Sequence, residues 1–280
     1  MSRIKNSVVL ITGASRGLGR QLAMGIAKKG GRVIALARNE DKLKELVSEI
    51  HEAGGEAIAL PADLTDLPAL ACVAQKAEQV WGSVDILINN AGCVNFLPLQ
   101  DYSLEEMQKL FNLNVLSGIE LARLLLPSML SKKKGHIVNV SSISGKVGSP
   151  YGNVYAASKA ALINWTHAQR IELQQSGVFV SLICPSYLSG LGAVVDLGLK
   201  TPKLIPKNQP ERVVRLMIYA IETNQAEAVI VPGFFPARPL LALSQMFPTL
   251  QDHFFGGFGV TQSHRECAMK QVRLRNCSKG

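Results

Sequence analysis

The sequence predicts an α/β fold: a doubly wound parallel sheet of seven strands with helices on both faces. Three observations carry this reading. Short apolar runs alternate with longer stretches of helical spacing, the runs lack polar alternation, and neither an internal repeat nor a low-complexity linker interrupts the series. Strands without alternation are buried on both faces, as in a parallel sheet covered by helices. Strand–helix alternation at this period implies right-handed crossovers. A chain of 280 residues, 47% hydrophobic and 18% charged, has the composition of a packed globular protein.

The elements follow in order. A strand is expected at Val8–Thr12, then a helix over Gly17–Lys29 with Leu18, Leu22, Ile26 and Ala27 at helical spacing. Strands at Arg32–Ala37, Glu56–Leu60 and Val84–Ile88 alternate with helices at Glu40–Ala53 and Leu67–Trp81. Two long helices, Leu104–Leu130 and Val154–Gln175, flank a strand at His136–Val140. Val178–Cys184 and Ala228–Val231 complete the strands, with a helix at Pro210–Thr223 between them. Residues 1–233 read as one domain, and 234–280 as an irregular apolar C-terminal extension ending in a basic tail.

The formal charge of +9 is concentrated at Lys132-Lys133-Lys134 and in the tail with Arg265, Lys270, Arg273, Arg275 and Lys279. Two readings stay open: a solvated turn with a frayed terminus, or contact with a membrane surface or acidic carrier. Nucleic acid is not among the expected partners. The five cysteines (Cys72, Cys93, Cys184, Cys267 and Cys277) form no CxxC pair, which argues for free thiols in a reducing compartment. The first strand pattern begins too early for a signal peptide. The longest uncharged stretch, Val178 to Val195, contains Pro185, Gly190 and Gly192 and reads as a strand plus loop. The expected location is cytoplasmic, with peripheral membrane contact left open.

In doubly wound sheets the ligand site lies beyond the carboxyl ends of the strands. After the first strand comes Thr12-Gly13-Ala14-Ser15-Arg16-Gly17-Leu18-Gly19. Glycines permit a tight turn and close backbone approach, and the following helix presents free N–H groups to a diphosphate. Asp63-Leu64 closes the third strand, where a carboxylate reaches an adenine amino group. Asn90-Ala91-Gly92 closes the fourth, where small residues let a dinucleotide lie against the backbone. The second strand ends Ala37-Arg38-Asn39 and has no carboxylate before Glu40. An acidic residue there accepts from a ribose 2′-hydroxyl; arginine instead matches a 2′-phosphate. Arg38 and Arg16 therefore favour NADP(H) over NAD(H).

Ser141 and Ser142 follow the fifth strand, and Tyr155-Ala156-Ala157-Ser158-Lys159 opens the next helix. Positions i and i+4 share a helix face, so Tyr155 and Lys159 point the same way. A neighbouring ammonium is expected to lower the phenol's pKa toward neutrality, where acid–base catalysis is most efficient.

Taken together, TGASRGLG, NNAG, Asn114, Ser142 thirteen residues before the tyrosine, and YAASK resemble the short-chain dehydrogenase/reductase family over about Lys5 to Gly233. The resemblance implies a single Rossmann-type domain and the catalytic tetrad Asn114, Ser142, Tyr155 and Lys159. In that family Asn114 would bend a helix and hold a water against Lys159, Ser142 would orient a carbonyl, Tyr155 would protonate it, and Lys159 would also bind the nicotinamide ribose. It further implies cofactor contacts from Gly13, Ser15, Arg16, Gly17, Leu18, Gly19, Arg38, Asp63, Leu64, Asn90, Ala91, Gly92, Tyr155, Lys159 and Pro185. The family usually has Pro-Gly after the sixth strand and then a threonine near the nicotinamide. This chain reads Pro185-Ser186-Tyr187-Leu188-Ser189, so Ser189 is expected to take the threonine's place on a loop where Ser186 stands instead of the usual glycine.

The segment Leu188–Leu204 is expected to form a lid, carrying Leu188, Leu191, Val194, Val195, Leu197, Leu199 and Leu204. The extension Phe234–Phe258 adds Phe234, Phe235, Leu240, Leu241, Leu243, Met246, Phe247, Leu250, Phe254 and Phe255. Such residues either wall a site for a lipophilic carbonyl substrate or pack on the core or another subunit. The chain resembles 3-ketosphinganine reductase-like and 3-ketoacyl-ACP reductase-like members, so keto-lipids, ketoacyl thioesters and steroids are the expected substrate classes. The resemblance also implies a homodimer or homotetramer through the two long helices. The alternative function is a non-catalytic NADP(H)-binding sensor or scaffold.

Overall fold

The computed structural model describes residues 3–201, 207–232, 237–247, 249, 252–253 and 257–277; the side chains of 193, 194, 237, 238, 240, 244, 276 and 277 are not described. Seven parallel strands form one sheet in the order β3-β2-β1-β4-β5-β6-β7. They are β1 (Val8–Thr12), β2 (Arg32–Ala37), β3 (Glu56–Pro61), β4 (Ile86–Asn89), β5 (Gly135–Val140), β6 (Val178–Pro185) and β7 (Glu227–Ile230). Each expected strand is present, with ends shifted by at most two residues.

The helices between them are α1 (Gly17–Lys28), α2 (Glu40–Glu52), α3 (Leu70–Trp81), α4 (Leu104–Phe111), α5 (Ser117–Ser131), α6 (Asn153–Glu172), α7 (Ala193–Asp196) and α8 (Pro210–Glu222). Alternate strand residues face opposite layers, as the two-residue period of a strand requires. Val9, Ile11 and Val33 pack on Leu22 and Ile26 of α1, Leu43 and Leu46 of α2, and Val213 and Met217 of α8. Val8, Leu10 and Ile34 face Leu70 and Val73 of α3 and Leu121 and Leu125 of α5. With both faces covered, the strands carry no polar face to alternate with.

Two expectations need correction. The helix expected over Leu104–Leu130 is interrupted: α4 and α5 are joined by a π-turn at Asn112–Leu116. Among the described residues this stretch, Leu104–Ser131, is the one helix long and apolar enough to cross a bilayer. Its Leu121, Leu125 and Met129 are spent on the core.

The extension is also more regular than its sequence pattern suggests. It contains α9 (Ala237–Met246) and an 18-residue helix, α10 (Val260–Cys277). The inner face of α10 has helical spacing but small or polar members: Val260, Ser263, His264, Cys267 and Ala268 are buried. As far as Cys277 the tail is helical rather than frayed. Arg275 pairs with Glu106 on α4 at 2.5 Å and donates to the Asp101 carbonyl at 3.3 Å. Residues 233 and 278–280 lie outside the described residues, and with them the expected domain boundary and Lys279. The four cysteines whose side chains are described are free thiols.

Two buried histidines are expected to make the fold acid-sensitive. His136 on β5 faces the Ser181 hydroxyl at 2.9 Å, and burial, helped by Arg3 and Arg170, lowers its pKa to about 3. Burial lowers His264 to about 4, against the pull of the Pro150 carbonyl. An unfolded histidine takes up its proton near pH 6.5. Both folded values are depressed, so the stability these groups contribute is full above about pH 6.5 and is lost as pH falls toward the folded values. Between pH 6.5 and about 4.5, before most carboxylates titrate, each should cost roughly 2–3 kcal/mol. Chemical denaturation at a series of pH values should show this fall, and a flat profile across that window would contradict it.

Candidate active site

The strand order reverses at β1, whose neighbours are β2 and β4. At such a switch point the connections leave in opposite directions and open a crevice at the carboxyl ends. A cavity of about 1240 Å³ lies there. One half is walled by the loop after β1 and the ends of β2 to β4, the other by the loops after β5 and β6 and by α10.

The first half is built for close backbone approach. Gly13 has φ +68°, and a Cβ on it would stand 2.9 Å from the Ala91 Cα. A Cβ on Gly19 would meet the Gly13 carbonyl oxygen at 2.3 Å. Gly17 has φ +59° and open space around it. Thr12 ties β1 to β4: its hydroxyl accepts from the main-chain N–H groups of Asn90 and Ala91, both at 2.9 Å. The Asn90 amide donates back to the Thr12 carbonyl at 2.9 Å, so that side chain is committed to the loop.

The N-terminus of α1 differs from those of α2 and α4. α2 is capped by Asn39, which accepts from the Lys42 N–H at 2.9 Å, and has Glu40 and Asp41 in its first turn. α4 begins with a Ser103–Glu106 capping box. α1 has no side-chain cap and no acidic residue in its first turn. Its free N–H groups and positive dipole end therefore suit an anion.

At the end of β2, Arg38 is largely exposed and lies 4.0 Å from Asp63. The Asp63 carboxylate accepts from the Thr65 N–H at 2.9 Å and its hydroxyl at 2.8 Å. Burial works to raise its pKa, but these bonds and the Arg38 charge outweigh it and hold it below the usual carboxylate range. Arg16 turns toward the segment expected to form a lid, where it pairs with Asp196 of α7 at 2.5 Å. Lys42, which the sequence reading missed, lines the same cavity as Arg38.

The second half centres on Tyr155. It sits on α6 and lines the cavity together with Ser142, whose hydroxyl acts to lower the phenol's pKa. The Ser142 hydroxyl in turn accepts from the Ser144 N–H at 3.2 Å. Lys159 is buried, with Nζ donating to the Val140 carbonyl at 3.0 Å and lying 6.0 Å from the Tyr155 ring centre. Ser141 pins the end of β5 to α6 by donating to the Lys159 carbonyl at 2.9 Å.

Asn114 lies behind this cluster, in the π-turn. Its amide accepts from the Cys93 N–H at 2.8 Å and donates to the Cys93 carbonyl at 2.9 Å and the Ser158 hydroxyl at 3.0 Å. Ser158 passes the constraint on by donating to the Tyr155 carbonyl at 2.7 Å. The π-turn thus aims Asn114 at both the end of β4 and the helix that carries Tyr155 and Lys159.

The electrostatics correct one expectation. Burial pushes the Tyr155 phenol above its usual value, and the Ser142 hydroxyl pulls it back only in part. Burial lowers Lys159 to about 8. The ammonium is engaged by the Val140 carbonyl rather than by the phenol oxygen, and desolvation governs both groups. At neutral pH Tyr155 therefore carries its proton.

Every expected cofactor residue except Ser189 lines the cavity. The Ser189 N–H instead donates to the Asn208 carbonyl at 2.9 Å. Asn208, absent from the sequence reading, sets the path of this loop: its amide donates to the Ser186 hydroxyl at 3.0 Å and the Ile230 carbonyl at 3.1 Å. Of the expected lid, Leu188, Leu191, Val195, Leu197 and Leu199 line the cavity, joined by Leu241 and Phe258. Leu243, Met246 and Phe247 are exposed. Phe234, Phe235, Leu204, Leu250, Phe254 and Phe255, and the side chains of Val194 and Leu240, lie outside the described residues.

A parallel doubly wound sheet with a glycine loop at its switch point, and a Ser–Tyr–Lys cluster facing that loop across one cavity, is an oxidoreductase architecture. Residues 7–192 match the short chain dehydrogenase family, and the chain belongs to it. It is 38% identical over 276 residues to the ketoacyl reductase HetN of Nostoc sp. (strain PCC 7120), covering 98% of this chain and 96% of that one. Identity to dehydrogenase/reductase SDR family member 7B of Bos taurus is 29%, over 94% and 83% of the two chains. A metagenomic short-chain oxidoreductase solved in complex with NADP superposes with a TM-score of 0.71 at 31% identity, covering 84% of this chain and all of that one. The L-sorbose reductase of Gluconobacter frateurii, solved with NADPH and L-sorbose, shares the fold with a TM-score of 0.77 at 23% identity over 84% and 99% of the chains.

Proposed function

We propose that the chain is an NADP(H)-dependent reductase of a lipophilic ketone or aldehyde, of the keto-lipid, ketoacyl thioester or steroid class. The observation that carries this reading is that Ser142, Tyr155 and Lys159 line one cavity together with the glycine loop after β1 and the apolar Leu188, Leu191 and Leu199. The ketoacyl reductase relative and the NADP complex of the metagenomic neighbour support it.

The residues present fit the cofactor. The uncapped start of α1 and the open Gly17 suit a diphosphate, and Gly13 and Gly19 keep the loop low enough to admit it. Arg38 and Lys42 stand where a 2′-phosphate is read, with no carboxylate at the end of β2. When bound, NADPH supplies the hydride.

The chain's own residues handle the oxygen and the proton. Ser142 hydrogen-bonds the carbonyl oxygen and holds it against Tyr155. Tyr155, protonated at neutral pH, donates its phenolic proton to that oxygen. The Lys159 charge stabilises the phenolate left behind, as an ammonium near a developing anion does. Asn114 acts through Ser158 and Cys93 and is a positioning residue. The apolar wall excludes water and strengthens these interactions.

Incubation with NADPH and a panel of keto-lipids, ketoacyl thioesters, steroids and small aldehydes should give cofactor oxidation that is fastest with apolar substrates. Binding of NADPH without turnover of any carbonyl would sink the enzyme reading and favour a sensor. The same reading includes a homodimer through the outer faces of α4 to α6, where Leu104, Leu116 and Ile171 are exposed. Light scattering at micromolar concentration should give at least twice the chain mass, and a monomer would refute the dimer.

A further inference from the structure

The apolar half of the cavity contains a polar pair that the proposed chemistry does not use. His264, on α10, is 2% exposed and lines the cavity together with Tyr187 from the loop after β6. The Tyr187 hydroxyl and His264 Nε2 are 2.7 Å apart. On the other side of the ring, Nδ1 lies 3.0 Å from the Pro150 carbonyl and 3.4 Å from the Ser149 hydroxyl. Burial keeps this imidazole neutral at pH 7.

These contacts determine the direction of the hydrogen bond. A carbonyl oxygen only accepts, so Nδ1 must carry the proton. In a neutral imidazole Nε2 is then an acceptor. Tyr187 must therefore donate its only O–H proton to His264. What remains on its oxygen is acceptor capacity, and among the described residues it receives no other hydrogen bond. Tyr187 and Tyr155 line the same cavity, and the charge on Tyr155 would oppose ionisation of Tyr187. A committed acceptor thus lines the same cavity as the proton donor, beside the apolar side chains of Leu188, Leu191, Leu197 and Leu199.

We propose that Tyr187, oriented by His264, is a specificity-determining acceptor that selects lipophilic carbonyl substrates bearing a hydrogen-bond donor, a hydroxyl, amine or amide N–H, near the reacting carbonyl. This deepens the reductase reading above and rests on it. An acceptor of fixed direction rewards a donor and leaves an ether or a plain methylene unrewarded. His264 is a positioning residue: its two ring contacts set which way the phenol proton points.

Tyr187→Phe removes one oxygen and keeps the ring, so it separates the acceptor from packing. The test compares a medium-chain aliphatic ketone with its α-hydroxy analogue, in kcat/KM with NADPH and in calorimetric affinity for the protein. The ratio of the two substrates is compared between wild type and Tyr187→Phe, which cancels their intrinsic reactivities. The wild-type preference for the hydroxy ketone should shrink roughly 3- to 10-fold in the variant, the range expected for one net hydrogen bond. His264→Phe frees the Tyr187 proton, so the α-methoxy ketone should gain affinity relative to the hydroxy ketone. If that variant does not fold, Tyr187→Phe decides alone. Reduction of both ketones with an unchanged ratio in Tyr187→Phe would overturn the acceptor and leave the reductase. Discrimination in binding with no reduction of either would overturn the reductase and leave the acceptor. Failure of both ketones to bind would overturn both.

Discussion

Tyr155→Phe should abolish carbonyl reduction while leaving NADPH binding nearly intact. The substitution keeps the partly buried ring on α6 and deletes only the phenol oxygen, so the lost quantity is the proton that the substrate oxygen needs. General acid catalysis contributes roughly 10²–10⁴-fold, and a drop of that size in kcat is expected. Lys159→Ala should differ in kind. It removes a charge whose Nζ reaches the Val140 carbonyl and lies beside Gly92, so cofactor affinity should fall together with the rate. The pH profile supplies an independent check. Lys159 has its pKa lowered to about 8 by burial, while the Tyr155 phenol is raised. Reduction needs both protonated, so kcat/KM should hold below about pH 8 and fall above it. Retention of more than about a tenth of the rate in Tyr155→Phe would reject this mechanism.

Ala37→Asp combined with Arg38→Ala should reverse the cofactor preference. Arg38 stands exposed at the end of β2, and its one described ion-pair partner is Asp63 at 4.0 Å, too loose to hold it away from a phosphate. A charge-assisted hydrogen bond contributes roughly 1.5–3 kcal/mol, so Arg38→Ala alone should raise the NADPH dissociation constant about 10- to 200-fold. NADH has no 2′-phosphate and should barely respond. The new aspartate then repels NADPH and accepts from the NADH ribose. Arg38 is expected to be the main reader, because Arg16 is directed toward Asp196 of α7. Arg16→Ala should accordingly cost less than Arg38→Ala. Kinetic constants for both cofactors decide the matter. Equal losses with NADPH and NADH would mean that Arg38 supports the loop and does not read the phosphate.

The parts of this protein legible in the sequence are those where local chemistry and global fold agree. β1 to β7 are short apolar runs because both sheet faces are covered, so each strand declares itself without reference to its neighbours. The loop glycines declare themselves because Gly13 and Gly19 stand where a Cβ has no room. Tyr155 and Lys159 share a helix face by spacing alone.

Tertiary structure decided what depends on distant contacts. The π-turn at Asn112–Leu116 lies inside a continuous helical pattern, and its cause is Asn114 reaching Cys93 and Ser158 on other elements. The Ser186–Ser189 loop takes its path from Asn208, nineteen or more residues further along the chain. α10 packs through Ser263, His264, Cys267 and Ala268, residues too small or too polar to mark a buried face in the sequence. The protonation of Tyr155 depended on structure as well. Spacing placed a lysine on its helix face, but only the fold shows that ammonium bonded to a main-chain carbonyl and the phenol's pKa raised by desolvation. Hydrophobic period is a local property and was written in the chain; hydrogen-bond partners and desolvation belong to the folded assembly of elements and were not.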